Sequence, residues 1–570
     1  MKTNNKIFVT LSSAFAFFLL FTCSNSDSVE EEVTTVDETE EVVEVEEEDD
    51  VEEEDVDLAD PNNVLNISTN TTVATFSNFW STRPIINQTR FSGANFRDNI
   101  VAPLRSYVNN YNIVRSLGGR LDDRNTFFRG VDASGNVITN FSTYIRDLRG
   151  LFLTGVKPRI VLDNVPWEMS GERIEETFGN ARPPLDYGIW RQYVNAFLQA
   201  LIDEFGASEV ETWRFRIGTE PNLNPGHWSG TEEEFYIHYD ITVDEVLKVL
   251  PNAKVGPGNL LTERSAVFTT EIIEHCANGI NAVTGQRGTQ MDFFSISYYE
   301  QLDRNKIKFA DVVPEYRRAL DRHPQFANIP FDIQEFGILR DENARRGVSL
   351  SDGTELGASW YATIIDMALE NRITEIYDWG QEIENTGGLP SGRRHVTDML
   401  LMMENGSRLQ SVAPLAVDNV NTYAGVIPVK KEGSIYLLLY NHHARRSNTD
   451  VRTLFPRLEG GDIAASEMWT MNEWTIDEDN GVFLDDLYED LRAAGVSEKQ
   501  NGRMLGTRTS DRFGDEWENV FNANRTKYEE LSVLPQTITD SIITRVDDNK
   551  INLEVEMKQH SVKLIQLTPR

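Results

Sequence analysis

Cysteine is nearly absent from this chain of 570 residues: there are two, Cys23 and Cys276. A disulfide framework and a CxxC metal site are both excluded. Histidine is scarce as well. The eight histidines form no HExxH arrangement, and His442-His443 falls in an expected turn, so a metal-dependent hydrolase has no ligand set to read. No GxSxG elbow, phosphate-binding glycine loop or dinucleotide fingerprint stands at a strand–helix junction, and no motif implies a cofactor. Positive charge is missing from one long stretch, Glu30 to Asp60, which holds 19 Asp or Glu and no Lys or Arg. That stretch supplies about half of the formal net charge of −37. The remainder is moderately acidic, which argues against nucleic acid as a partner.

What is present fits a globular protein of two or more domains: 40% of residues are hydrophobic and 10% aromatic. Lys2 and Lys6 precede an apolar run, Ile7 to Phe21, too short to span a bilayer and suited to a secretory signal over residues 1–22. Leu20-Phe21-Thr22-Cys23 resembles the lipobox of bacterial lipoproteins. The resemblance implies cleavage before Cys23 and a lipid on its sulfur; a plain signal peptide with an incidental cysteine is the alternative. Cys276, in a helix-like stretch, reads as a buried free thiol. Residues 23–65 are acidic and nearly free of core-forming side chains, as expected of a disordered tether. An acidic stretch directly after the cysteine resembles the surface-export signals of Bacteroidetes lipoproteins. That implies a protein on the outer membrane facing the cell exterior, touching the membrane through its lipid anchor only.

From about residue 66 to 387, short β-branched or aromatic runs alternate with amphipathic helical stretches, a pattern of parallel βαβ units. Eight strands are expected: Val73–Asn78, Ile113–Leu117, Arg159–Asp163, Thr212–Thr219, Lys254–Gly256, Asp292–Tyr298, Phe331–Glu335 and Glu375–Trp379. They predict a (β/α)8 TIM barrel. The helix Tyr187–Phe205 carries one apolar stripe between Asp186 and Gly206, and Thr231 with Glu234 forms a capping box opening the next helix. Residues 388–570 switch to short strand-like runs with turns between, predicting an antiparallel β-sandwich domain, interrupted near 477–536 by a charged, helix-like insertion.

Two of the expected strands end in glutamate. Trp213-Arg214-Phe215-Arg216-Ile217-Gly218-Thr219-Glu220-Pro221-Asn222 closes the fourth, and Phe331-Asp332-Ile333-Gln334-Glu335-Phe336-Gly337 the seventh. A carboxylate where a buried strand meets its loop is costly unless it has a task, and parallel strands bring such ends to one rim. A retaining glycosidase needs two carboxyls about 5–5.5 Å apart. One must hold a proton for the leaving oxygen and the other must be ionised.

Thr219-Glu220-Pro221-Asn222, with Trp213 before it and His227-Trp228 and the Gly230 to Tyr236 capping sequence after it, resembles the fourth-strand motif of clan A glycoside hydrolases, above all family 39. Gln334-Glu335-Phe336-Gly337 resembles the nucleophile motif of the seventh strand. The resemblance covers about residues 70–385 and implies Glu220 as general acid/base and Glu335 as nucleophile. It has departures. Thr219 stands where the family usually has Asn, whose amide meets the sugar 2-hydroxyl. In Ser295-Ile296-Ser297-Tyr298-Tyr299, Ser297 stands at the family's usual His. The xylosidase and iduronidase activities of the family are therefore not assumed.

Other rim candidates come from strand ends: Asn78, Trp80, Arg115, Gly118, Arg120, Asp163, Asn164, Trp167, Asn259, Asp378 and Trp379. Together with Thr219, Asn222, His227, Trp228, Ser297, Tyr298 and Tyr299 they make the polar, aromatic lining a sugar site uses; for each alone a structural role is as good a reading. Arg83, Arg115, Arg120 and Arg124 point to an anionic sugar, sulfated or uronic, and salt-bridged arginines account for them equally well. The expected partner is a carbohydrate. The expected function is retaining hydrolysis of a polysaccharide or its oligosaccharides. Alternatives are an endo-acting hydrolase of agar- or porphyran-type galactan on the same barrel, and a non-catalytic glycan-binding lipoprotein.

Overall fold

The computed structural model describes residues 63–81, 83–87, 108–120, 127–263, 266–302, 308–340, 353–378, 385–412, 422–497 and 513–570. The expected signal peptide, Cys23, nearly all of the tether, Arg124 and Trp379 lie outside them.

One sheet is wholly parallel. From one edge it runs Lys254–Pro257, Arg214–Ile217, Lys157–Leu162, Asn110–Val114, Arg83–Asn87, Glu375–Asp378, Phe331–Arg340, Phe294–Gln301 and Leu260–Leu261. The last strand in the chain pairs with the first, Tyr377 opposite Arg83. The two edges, Pro257 and Leu260, are joined by Gly258 and Asn259 alone, so the sheet curls until its edges meet in one chain segment. Its strands are near-continuous apolar runs (Ile113 and Val114; Ile160, Val161 and Leu162; Phe294 and Ile296) because both faces are covered. Gly258 is required where the edges meet: a Cβ there would stand 2.7 Å from Pro221 Cδ and 3.1 Å from Gly218 O, beneath the loop that carries Glu220.

The covering helices follow local rules. Tyr187–Phe205 starts where the Asp186 side chain accepts from the N–H groups of Gly188 and Ile189, and stops at Gly206. Glu232–Val249 opens with the Thr231/Glu234 capping box, both reciprocal hydrogen bonds present.

The second sheet has ten strands and is antiparallel apart from one pairing. Its core is separate: Leu65, Ile67, Leu437, Leu454, Trp469 and Leu567 are among its buried members. The first expected barrel strand is corrected here. Val64–Thr75 pairs with Ser407–Val412 and, in parallel, with Arg452–Glu459, so the chain from 64 to 75 belongs to this second sheet. The first parallel strand is Arg83–Asn87, whose Arg and Pro hid it from pattern reading. Ser407–Val412, Arg452–Glu459 and Met468–Ile476 are further strands that the sequence reading passed over. The helix Glu355–Glu370 joins the two parts: it packs on Ser434–His443 and Ser561–Pro569, and Tyr440 donates to its Asp366 at 2.7 Å. Within the 477–536 stretch, helices Leu484–Ala493, Trp517–Ala523 and Arg525–Leu531 form a small core of their own with Leu389.

Candidate active site

Glu335 owes its direction to a register shift. Ile333 lies opposite Ile296, but Glu335 lies opposite Ser297, so Gln334 is the extra residue of a bulge. Gln334 faces the interior, accepting from Arg216 Nη1 at 2.7 Å and donating to Asp332 at 3.2 Å. Glu335 is left 7% exposed at the site. Tyr299 donates to its Oε2 at 3.0 Å, while Oε1 is buried without a hydrogen-bond partner.

Glu220 stands one turn beyond Arg214–Ile217 with φ 41°, a left-handed conformation that is unusual for a residue with a side chain. Its N–H donates to Asn259 O at 3.0 Å. Its carboxyl is 6% exposed and meets His227 Nε2 at 3.5 Å. Asn259 Nδ2 donates to Ser297 Oγ at 2.6 Å, and the Ser297 hydroxyl, beside the Glu220 carboxyl, favours its anion. Beneath the pair, Arg216 Nη2 donates to Thr219 Oγ1 at 2.9 Å, and Thr219 Oγ1 donates to Asp163 Oδ2 at 2.6 Å. Asp163 Oδ1 also accepts the Arg115 N–H at 2.5 Å.

The two carboxyls are treated unequally. Burial pushes Glu220 up to about 8, and the charge of Glu335 acts in the same direction. Burial raises Glu335 too, but Arg216, the Tyr299 hydroxyl, Arg115 and Asn259 all favour its anion. Titrating as a coupled pair, they keep the last proton on Glu220. Burial, with Arg115 and Arg216 nearby, holds the His227 imidazole well below its ordinary range, so it is neutral. Its ring stacks on Phe178 at 4.3 Å.

Of the sequence candidates, Arg115, Thr219, His227, Ser297 and Tyr299 gather around the glutamates. Thr219 is consumed by Arg216 and Asp163. Asp378 ends its strand in an ion pair with the fully buried Arg393 at 3.2 Å. Asn164 donates to Asn180 O at 3.0 Å, and Trp167 to Arg120 O at 2.9 Å, in the loops after the second and third parallel strands. Other candidates serve the scaffold. Asn222 spends its amide on Leu261 and Phe268. Trp228 packs on Phe235 and His238. Tyr298, alternating with its neighbours along the strand, points away and donates to Glu300 at 2.7 Å. Asn78 and Trp80 precede the first parallel strand and so sit at the opposite end of the sheet from the glutamates. Trp80 is fully buried against Phe76, and Asn78 accepts from Ser81 N. Arg83 is likewise structural, paired with Glu375 at 3.5 Å. Among the described arginines read as signs of an anionic sugar, Arg115 is the one beside the glutamates.

Arg216, Gln334 and Phe178 were not singled out from sequence. A signal existed: Arg214 and Arg216 alternate along one strand as Asp332 and Gln334 do along another, and these polar residues meet in the sheet interior, Arg214 with Asp332 at 2.8 Å.

Two buried carboxyls of unequal proton affinity thus face one another, one just past the parallel strand Arg214–Ile217 and the other at a bulge within Phe331–Arg340, the kind of pair that hydrolysis of a glycosidic bond uses. A model of glycosyl hydrolases family 39 matches residues 64–352, just over half of the chain, and the chain belongs to that family. It is 26% identical over 287 residues to an alpha-1,4-L-rhamnosidase of Formosa agariphila, covering 47% of this chain and 57% of that protein. It is 27% identical over 236 residues to a beta-xylosidase of Geobacillus stearothermophilus, covering 38% of this chain and 45% of that protein. The chain thus spans about half the length of these curated relatives. The crystal structure of the GH39 enzyme from Xanthomonas axonopodis pv. citri superposes with a TM-score of 0.61 at 13% identity, covering 89% of this chain and 98% of that one. It shares the fold.

Proposed function

We propose that this protein is a retaining glycosidase in which Glu335 is the nucleophile and Glu220 the general acid/base, on the rim of a (β/α)8 barrel. The observation that carries the reading is the unequal surroundings of the two glutamates. Glu335 has a free, buried Oε1 and is faced by Arg216, Tyr299 and Arg115; Glu220 keeps its proton to about pH 8. In the first step Glu335 Oε1 bonds to the anomeric carbon as the glycosidic bond breaks, and the Glu220 proton passes to the leaving oxygen. In the second, Glu220 takes a proton from water, which attacks the same carbon and releases Glu335.

The substrate in this reading is a polysaccharide or its oligosaccharides. Likeness to the Formosa agariphila alpha-1,4-L-rhamnosidase makes α-L-rhamnosides the first to test. The lipobox-like Cys23 and the acidic stretch after it support a lipid-anchored protein on the outer membrane, facing outward. Loss of lipid labelling in a Cys23→Ser variant is the expected result; unchanged labelling would remove the anchor. For the mechanism, a fluorinated substrate analogue should leave a glycosyl adduct on the peptide containing Glu335, and NMR of fresh product should show the anomer retained. An inverted product, or an adduct elsewhere, would overturn the assignment.

A further inference from the structure

We propose that Ser297, oriented by Asn259, is a positioning residue for Glu220 and not a contact for the sugar. The inference rests on the acid/base role proposed for Glu220. Ser297 is 1% exposed, and its carbonyl is occupied by Thr262 Oγ1 at 2.8 Å. Its hydroxyl has one proton to give. Because the Asn259 amide nitrogen can only donate, Ser297 Oγ accepts there at 2.6 Å, which leaves its proton free to turn to the Glu220 carboxyl beside it, whose anion it favours.

Asn259 is itself fully buried, and its Oδ1 has no partner. Leaving that acceptor unpaired is costly, and makes sense if the donor end is what the site needs. The same residue accepts the Glu220 N–H through its carbonyl. It therefore fixes the acid/base twice, by its backbone directly and by its side chain through Ser297. Its amide also favours the Glu335 anion, so both glutamates feel one short segment, the Gly258-Asn259 link between the sheet edges.

The other groups facing Glu220 are Glu335, Glu263, Arg115, Arg216, His227 and Tyr299. Tyr299 spends its hydroxyl on Glu335, which leaves Ser297 as the neutral hydroxyl that favours the Glu220 anion. As Glu220 gives up its proton, the new carboxylate meets a donor already in place, with no reorganisation. In the second step that donor steadies the carboxylate as it accepts a proton from water.

The test needs no known substrate. In the full chain, 13C-carboxyl NMR follows Glu220 and Glu335, assigned with Glu220→Gln and Glu335→Gln. Ser297→Ala should raise the Glu220 midpoint by about one pH unit and leave that of Glu335 in place. Asn259→Ala should raise both midpoints, and it reads the same bridge if the serine variant fails to fold. With whichever glycoside the enzyme cleaves, Ser297→Ala should lower kcat for an alkyl leaving group, which needs the acid, far more than for a nitrophenyl one, with KM little changed. Unmoved midpoints in both variants, or a KM rise equal for both leaving groups, would overturn the proposal. Failure here is separable from failure of the function. If Glu335→Gln abolishes turnover while the Ser297→Ala midpoint stays put, only this inference falls. If Glu335→Gln turns over normally, double displacement falls, whatever the titration shows.

Discussion

At the scale of single residues, the proposed mechanism depends on keeping one proton in one place. Glu220→Gln should lower turnover of alkyl glycosides by about 10²–10⁴ and spare activated aryl glycosides in the first step, which comparison of the two leaving groups will show. The pH dependence follows from the same proton. In the proposed mechanism Glu220 must be protonated to donate, so kcat/KM should fall as pH rises through about 8, while the acid limb should report protonation of Glu335. Tyr299 holds Oε2 of Glu335, the proposed nucleophile, by a hydrogen bond to a charge worth about 1.5–3 kcal/mol. Tyr299→Phe should cost roughly ten- to a hundredfold in kcat/KM and move the acid limb upward. Both glutamates stand out in the sequence because a carboxylate beside an apolar strand is expensive to bury, and the structure buries both, although the strand expected to end at Glu335 runs on to Arg340. Their supports were less legible. Asn259 and Asp163 could be placed at strand ends, but Asn259 gains its role from the meeting of the sheet edges. Gln334 gains its role from a bulge. Neither leaves a mark in residue order.

At the scale of elements, the helix Glu355–Glu370 carries a carboxyl in an awkward place. Burial pushes Asp366 up to about 7, against the Tyr440 hydrogen bond. The folded form therefore holds a proton that an unfolded aspartate, with a pKa of about 3.9, has already lost. Stability from this group is complete below the unfolded value and declines as pH rises toward about 7. Asp366→Asn should flatten that decline: thermal unfolding of variant and parent should nearly coincide at low pH, with the variant the more stable at pH above the folded value. On the helix Glu232–Val249, Thr231→Ala removes half of the capping box and should cost about 1 kcal/mol in a denaturant titration. The helices were legible because stripes and caps are local. The strand Val64–Thr75 was assigned to the wrong sheet because alternation shows that a segment is a strand and says nothing about its neighbours.

At the scale of the whole molecule, the described residues from 63 onward should unfold together. The core that includes Leu162 and Ile217 in the parallel sheet also includes Leu438, Tyr440, Val562 and Leu564 from the other sheet. Calorimetry should show one transition for this body, and a chain cut after residue 405 should be insoluble or unfolded; two well-separated transitions would show that the parts are independent. The strand Val64–Thr75 adds a matter of timing. Its partners begin at Ser407 and Arg452, over three hundred residues later in the chain. A ribosome delivers residues in order, so this strand emerges early and stays unpaired until synthesis has passed Ser407. Contacts this distant in sequence form slowly. A growing chain that cannot complete its own sheet stays extended for longer, which would suit the export proposed above, where a polypeptide is threaded through a pore before it becomes compact.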